Sequence, residues 1–463
     1  MSGTSLLGNG TVVVSYSPSS FPASTILPWM IPRGAVVWRG ERILAVGEES
    51  QLRRAYPEAS TLDAHEGLIL PGLINLHHHF YSALACGLDP ATPLRNFAEV
   101  LDRLWWRLDR ALDAETIRLS AQLSVAECIR WGCTTVFDHH ASPSCLAGSL
   151  DLIAEAVDAG GISAVLCYEV TDRNGHAEAL AGIEESLRFT KERQNHSRIR
   201  GMLGLHASFT LRDETLQEAA RRRPSGAGCH IHAGEDPLDV QATRQAFGLQ
   251  PVERLERFGL LDERCLLAHG IHLTAQDYSR VSERGAVIIH NPESNANNGV
   301  GRLDVAKVAA QHCRIGLGTD GMSSAMLRAL RAAFLAQRAG SNDANRGFEI
   351  LPGLIDNNVR AARNFFGEPL LGELAPGAPA DVIVVDSPCA TPIDRANFLS
   401  HLVYDASEAP VRHTVARGRL LLCDFHHQTF DPAALARRAR ELTPGLWQRF
   451  AALKWGTHFL GNS

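Results

Sequence analysis

Short apolar runs set the rhythm of this chain, and what surrounds them changes along its length. Thr11-Val-Val-Val-Ser15, Gly34-Ala-Val-Val-Trp38 and Arg42-Ile-Leu-Ala-Val46 alternate with Gly, Pro and Asn and lack a helical period, which predicts strands joined by turns. From Leu68 onward each apolar run ends in a polar or His-bearing cluster and is followed by a helical stretch. Eight runs do so: Leu68–His79, Thr134–His139, Ala164–Glu169, Met202–His206, Cys229–Glu235, Cys265–His269, Ala286–Asn291 and Ile315–Asp320. Between them fall helical patterns such as Ala114–Trp131, Ser149–Ala159, Asp213–Arg223, Val252–Phe258 and Thr274–Arg284.

Eight strand-then-helix units predict an α/β chain built on a (β/α)8 TIM barrel, with reactive side chains at the C-terminal ends of the strands. After a helical Leu354–Phe366 the strand texture returns in Ala380–Asp386 and Thr414–Cys423, followed by a terminal helix over about Pro432–Leu453. The two β-rich ends are expected to pair as one small β-sandwich. The expected division is 1–67 and 373–463 for the two parts of the sandwich and its helix, and 68–372 for the barrel, with a helical insertion at 80–133 over the barrel mouth.

Composition adds limits. The chain has 463 residues, 45% hydrophobic and 21% charged, with a net charge of −6, so it can bury a large core and has no extended basic surface for nucleic acid. Its ten cysteines contain no C-x-x-C pair and sit often in apolar runs, which reads as reduced thiols; no stretch reaches the roughly 18 apolar residues of a membrane helix. The expected location is the cytoplasm, with no membrane partner, and a homodimer is the default assembly.

The candidate chemistry lies at the strand ends. In Pro71-Gly-Leu-Ile-Asn-Leu-His-His-His79, residues i and i+2 of a strand point the same way, so His77 and His79 can reach one metal ion while His78 faces elsewhere. Such a pair alone, in a chain with 20 histidines, is more often a solvated cluster. Complementary ligands change that balance: His232 with Glu235 after the fifth run, His269 after the sixth, and Asp320 after Gly316-Leu-Gly-Thr. Imidazoles with one carboxylate suit a divalent first-row metal that keeps a position for water. Hydrolysis then needs a group to take the proton of that water (Asp320), an acid for a ring nitrogen and the leaving amine (Glu235), and a donor to the developing oxyanion (His269).

These His-x-His, His-x-x-Glu, Ala-His-Gly and Gly-Thr-Asp-Gly elements resemble the amidohydrolase superfamily, in its cytosine/adenosine deaminase and chlorohydrolase-like branch. Trp105-Trp-Arg-Leu-Asp-Arg-Ala-Leu112, Phe137-Asp-His-His-Ala-Ser-Pro143, Gly204-Leu-His-Ala-Ser-Phe-Thr210 and His290-Asn-Pro-Glu-Ser-Asn-Ala-Asn-Asn298 are similar to aminohydrolases of the SsnA type. The resemblance implies metal ligands at His77, His79, His232 and Asp320, with Glu235 and His269 acting beside the metal. It also implies one metal ion, zinc ahead of iron. Two-metal members bridge their ions with a lysine after the fourth strand, and the only lysines here are Lys191, Lys307 and Lys454.

The implied activity is a metal-dependent aminohydrolase, a deaminase attacking a C–N bond of a purine- or pyrimidine-like heterocycle. Ring opening of a cyclic amide or amidine, chlorohydrolase-type displacement, and a catalytically weak binding protein are the alternatives. His206, His139, His140, Tyr81, Asn291 and Trp105 are the candidate substrate contacts, each with a plainer reading as rim, turn cap or core. Trp106, Arg173, Asn174, Ser294 and Asn295 stand beside them as weaker candidates.

Overall fold

The computed structural model describes residues 3–16 and 29–456. Eight strands, Leu73–His78, Cys133–His140, Ser163–Val170, Leu203–Ala207, Cys229–Ala233, Cys265–His269, Val287–His290 and Arg314–Leu317, pair in that order, each parallel to the next. The eighth returns to the first through a bridge between His78 and Asp320, with Thr319 N and Asp320 N both donating to the His77 carbonyl. Asn358 fastens the same seam from below: its Nδ2 donates to the carbonyls of Ile74 and Leu317 at 2.8 Å, and its Oδ1 accepts from Leu317 N at 2.7 Å. The result is the closed barrel that the eightfold pattern predicts.

These strands are buried on both faces, which is why their sequences read as continuous apolar runs rather than as alternations. Ile74, Leu76, Phe137, Val165, Met202, Leu266, Val287 and Ile289 form an interior core with Ala361, Ala362 and Phe366 of the helix Leu351–Phe366.

The terminal segments form one further nine-stranded sheet. Thr4–Val13 pairs with Met30–Arg39 and Leu68–Pro71, and Leu68–Pro71 pairs in turn with Val382–Val385, so N- and C-terminal segments share a ladder. The sheet rolls on itself: Arg42 bridges to Pro379, Ile43 N donates to the Ala378 carbonyl, and Trp38 Nε1 donates to the Gly418 carbonyl at 3.0 Å. Leu7, Val12, Val36, Ile69, Val382 and Val415 fill the space it encloses.

One apolar run divides. Leu68–His79 is not a single barrel strand: Leu68–Pro71 belongs to the small sheet and Leu73–His78 to the barrel. The chain crosses between them at Gly72, where a Cβ would lie 2.1 Å from Thr134 Oγ1, so only glycine allows this approach. The 80–133 connection is helical, with short helices at Phe97–Val100 and Trp106–Ala111 joined by a π-helical turn over Leu101–Trp105, then the long helix Ala114–Arg130 capped by Asp113. Among the described residues no helix is long and apolar enough to cross a membrane.

Candidate active site

Four imidazoles at the C-terminal ends of the first, fifth and sixth barrel strands converge on one carboxylate. Each has its Nδ1 tied to another protein group: His77 to His230 Nε2 at 2.9 Å, His79 to the His139 carbonyl at 2.6 Å, His232 to the His206 carbonyl at 2.8 Å, and His269 to Asn295 Oδ1 at 2.8 Å. With Nδ1 held in this way, the Nε2 atoms face inward. His79 Nε2 lies 3.0 Å and His77 Nε2 3.5 Å from Asp320 Oδ1, His269 Nε2 lies 3.8 Å from Asp320 Oδ2, and His79 and His232 bring their Nε2 atoms within 3.3 Å. The Nε2 atoms of His77 and His269 are buried and make no hydrogen bond.

Backbone conformation aims two of these groups. His269 and Asp320 sit at φ values of 75° and 56°, a left-handed conformation that non-glycine residues adopt at a cost and that turns both side chains back across the barrel mouth. Gly318 lets the eighth strand pass close to the first, since a Cβ there would meet Asn291 Oδ1 at 2.5 Å and His77 Cβ at 2.9 Å. Ser294 Oγ donates to Asp320 Oδ2 at 2.5 Å, and the Asp320 carbonyl lies 2.7 Å from His78 Nδ1.

Burial holds His77 neutral, down at about 3, and pushes His232 and His269 below the ordinary imidazole range, so their lone pairs are available to a ligand. Burial also opposes a proton on His79, but its bond to Asp320 and the charges of Asp320, Glu169 and Asp138 hold it up at about 9. For Asp320, burial is outweighed by the His77 and His79 imidazoles beside it, and the carboxyl stays well below its usual range. Three neutral imidazoles, His77, His232 and His269, bring ligand atoms within 4.8 Å of one another and of Asp320, a donor set that suits a divalent metal ion, while His79 adds a fourth ring once its proton is lost.

The sequence agrees with this geometry when compared with known proteins, for residues 68–421 match the Amidohydrolase family. The chain belongs to that family. Residues 34–59, in the small sheet and its helix, also match a bacterial imidazolonepropionase-like composite domain. Similar relatives of this amidohydrolase include proteins named 5-methylthioadenosine/S-adenosylhomocysteine deaminase. That of Desulfitobacterium hafniense is 29% identical over 431 residues, 90% of this chain and 95% of that protein. That of Desulforudis audaxviator is 30% identical over 419 residues, 88% and 93% of the two chains. Among solved structures, an adenosine deaminase from Xanthomonas campestris with bound zinc superposes with a TM-score of 0.80 at 21% identity, covering 97% of this chain and 98% of that one.

Above the amidohydrolase carboxylate opens a cavity of about 790 Å³, counted out to its mouth. His79, His232, Glu235 and Asp320 form its floor, and the 80–133 insertion supplies Tyr81, Phe97, Leu101, Trp105, Trp106 and Asp109 to its wall. Glu235 Oε2 is 3.4 Å from His269 Nε2, and Asn298 Nδ2 donates to Glu235 Oε1 at 3.3 Å. Burial, with the charge of Asp320 added to it, pushes the Glu235 carboxyl well above its usual range, which favours its protonated form.

Of the candidate substrate contacts, Tyr81, Trp105 and His206 line this cavity, and Trp106 does too. His139, His140 and Asn291 lie behind the lining. His139 is a strut, with Nδ1 3.1 Å from Glu169 Oε2 and Nε2 3.1 Å from the Leu205 carbonyl. His140 Nε2 pairs with Ser142 Oγ at 2.9 Å, and the buried Asn291 donates to the Ile289 carbonyl at 3.3 Å. Ser294 reaches Asp320 and Asn295 reaches His269, while Asn174 donates to Glu178 on its own helix.

Three residues escaped sequence reasoning as site elements. Asp109 and Glu169 are cavity-lining acids bridged by Arg173, whose Nη2 lies 3.1 Å from Asp109 Oδ2 and 3.4 Å from Glu169 Oε1 while its guanidinium covers the Trp106 ring at 4.5 Å. They are scattered in sequence: Asp109 stands inside the Trp105–Leu112 run and Glu169 ends the third strand run, and neither spacing points to the other. The third, His230, did have a signal: it stands two residues before His232 on one strand, the same i, i+2 relation that pairs His77 with His79.

Proposed function

We propose that this amidohydrolase removes an amino group from a planar nitrogen heterocycle, with one metal ion, zinc ahead of iron, held by His77, His79, His232 and Asp320. The observation that carries the reading is the arrangement of the four imidazoles, each with Nδ1 anchored and Nε2 turned toward Asp320. When bound, a divalent ion acidifies a water molecule so that hydroxide is available near neutral pH.

The protein's own groups move the protons. Asp320, anionic and fixed by Ser294, accepts the proton of the attacking water. His269, whose Nδ1–H donates to Asn295 Oδ1, keeps a free lone pair on Nε2 between Glu235 Oε2 and Asp320 Oδ2, where it accepts from the attacking water and orients it. Glu235, whose burial favours its protonated form, gives its proton to the ring nitrogen next to the attacked carbon; Asp320 passes the proton it took to the amine, which departs as ammonia while the hydroxyl proton returns to Glu235 as the oxo group forms. Water adds across one C=N bond and the C–NH₂ bond breaks, so amine and water become oxo product and ammonia.

Aromatic walls from Trp105, Trp106, Tyr81, Phe97 and Phe209 favour a flat ring. Relatives named for 5-methylthioadenosine and S-adenosylhomocysteine make 6-aminopurine nucleosides the first compounds to try. The test is ammonia release by zinc-loaded protein across aminopurines, aminopyrimidines, pterins and aminotriazines, as bases and as nucleosides. Ammonia from at least one member, with a stoichiometric oxo product, supports the reading; none from any member overturns it.

A further inference from the structure

Far from the barrel mouth in sequence and absent from its lining, Cys389, His401 and Asp405 bring a thiol, an imidazole nitrogen and a carboxylate oxygen within 4.8 Å of one another. They come from two pieces of chain. Cys389 lies in the irregular segment after strand Val382–Val385, while His401 and Asp405 stand one helical turn apart on the continuous stretch formed by Phe398–His401 and Leu402–Ala406. That stretch is a firm base, with Phe398 and Leu402 wholly buried and Phe398 against Trp29 at 5.0 Å between ring centroids.

Each of the three groups is oriented by a neighbour. Ser387 Oγ donates to Asp405 Oδ2, and Cys389 Sγ lies 3.8 Å from the Ser387 carbonyl and hydroxyl. His401 Nε2 is 3.3 Å from the Pro392 carbonyl. Cys389 itself is held at φ 49°, in the left-handed region, which turns its side chain back toward the helix. Groups that bind a metal are characteristically fixed by such outer partners.

We propose that Cys389, His401 and Asp405 form a second divalent-metal site that clips the 386–397 segment to the helix beneath it. One soft sulfur, one nitrogen and one oxygen select a zinc-like ion and not magnesium or calcium, which prefer oxygen alone. Three protein ligands leave the fourth tetrahedral position to water. Cysteine binds as thiolate, so the Cys389 proton leaves to solvent as the Sγ–metal bond forms. Burial raises this thiol above its ordinary range, and a cation beside it would reverse that penalty.

Cobalt(II) titration of the full-length, metal-stripped protein tests the proposal. The barrel-mouth donor set contains no cysteine, and among the described residues Cys389 is the one cysteine in a candidate ligand group, so thiolate-to-cobalt charge-transfer absorption that disappears in Cys389→Ser reports the second site. The expected result is a second equivalent of cobalt accompanied by that near-ultraviolet absorption, both lost in Cys389→Ser, with the second equivalent weakened in Asp405→Asn and the first retained in each. Absence of the thiolate absorption in the wild-type titration overturns the proposal without recourse to a variant. So does absorption of unchanged intensity in folded Cys389→Ser.

Discussion

His77 and His230 share a hydrogen bond 2.9 Å long between Nδ1 and Nε2 at the floor of the barrel mouth. For His77 to offer its Nε2 lone pair to a metal, its proton must sit on Nδ1 and be donated to His230. His230 is therefore a positioning residue. Burial and the surrounding imidazoles hold it well below the ordinary range, so it remains neutral and able to accept. His230→Ala is expected to weaken zinc binding by about 10- to 100-fold, the usual cost of losing such a partner. Competition with a chelator of known affinity measures it, and unchanged affinity would remove His230 from the account.

Glu235 separates chemistry from metal binding. Glu235→Gln removes the transferable proton while keeping the contact with Asn298, so zinc content should stay at the wild-type level while kcat falls by about 10²- to 10⁴-fold. Metal analysis and steady-state kinetics on the same preparation check this.

Asp109 gives a pH dependence of defined sign. Burial pushes its carboxyl up to about 7, with Arg173 pulling it back and Glu169 adding to the rise. It is thus protonated below about 7 and anionic above. Its Oδ1 is buried on the cavity wall with no hydrogen-bond partner, so a substrate N–H or O–H donor is held better by the anion. KM should fall as pH rises through about 7, and Asp109→Asn should remove that inflection. A KM profile that keeps its inflection in the variant would assign it to another group.

The C-terminal helix Pro432–Ala452 clasps the insertion that walls the cavity. Arg107 lays its guanidinium over the Phe450 ring at 3.9 Å and donates to the Phe450 carbonyl at 3.0 Å, and Arg449 donates to the Ala111 carbonyl at 2.8 Å. Phe450 is wholly buried, so Phe450→Ala should cost about 3–5 kcal/mol of stability. Because Trp105, Trp106 and Asp109 belong to the clasped segment, KM should rise more than kcat falls. Denaturant unfolding and kinetics together test both parts.

Much of this was legible in the sequence for a physical reason. Parallel strands buried on both faces read as apolar runs, and strand ends that carry reactive groups read as polar clusters, so eight units and the convergence of His77, His79, His232, His269 and Asp320 could be anticipated. The division at Gly72 could not, because Leu68–Pro71 and Leu73–His78 are both fully buried and periodicity does not distinguish two sheets crossed by one run. The Asp109–Arg173–Glu169 bridge was hidden because it is made by folding: its members come from an insertion helix and from the end of the third strand and the loop after it. His139 and His140 sit at a strand end as expected, yet their rings turn into the wall, a choice of rotamer and neighbour that spacing does not encode.

The most direct measurement is ammonia release as zinc is added back to metal-stripped protein, made in the Cys389→Ser background so that only the barrel-mouth site is counted. Activity should be absent without metal, rise in proportion to zinc, and level off at about one ion per chain, with no recovery in His77→Ala. Full activity in stripped protein, or a plateau reached only at two ions per chain, would contradict a hydrolase built on one metal held by His77, His79, His232 and Asp320.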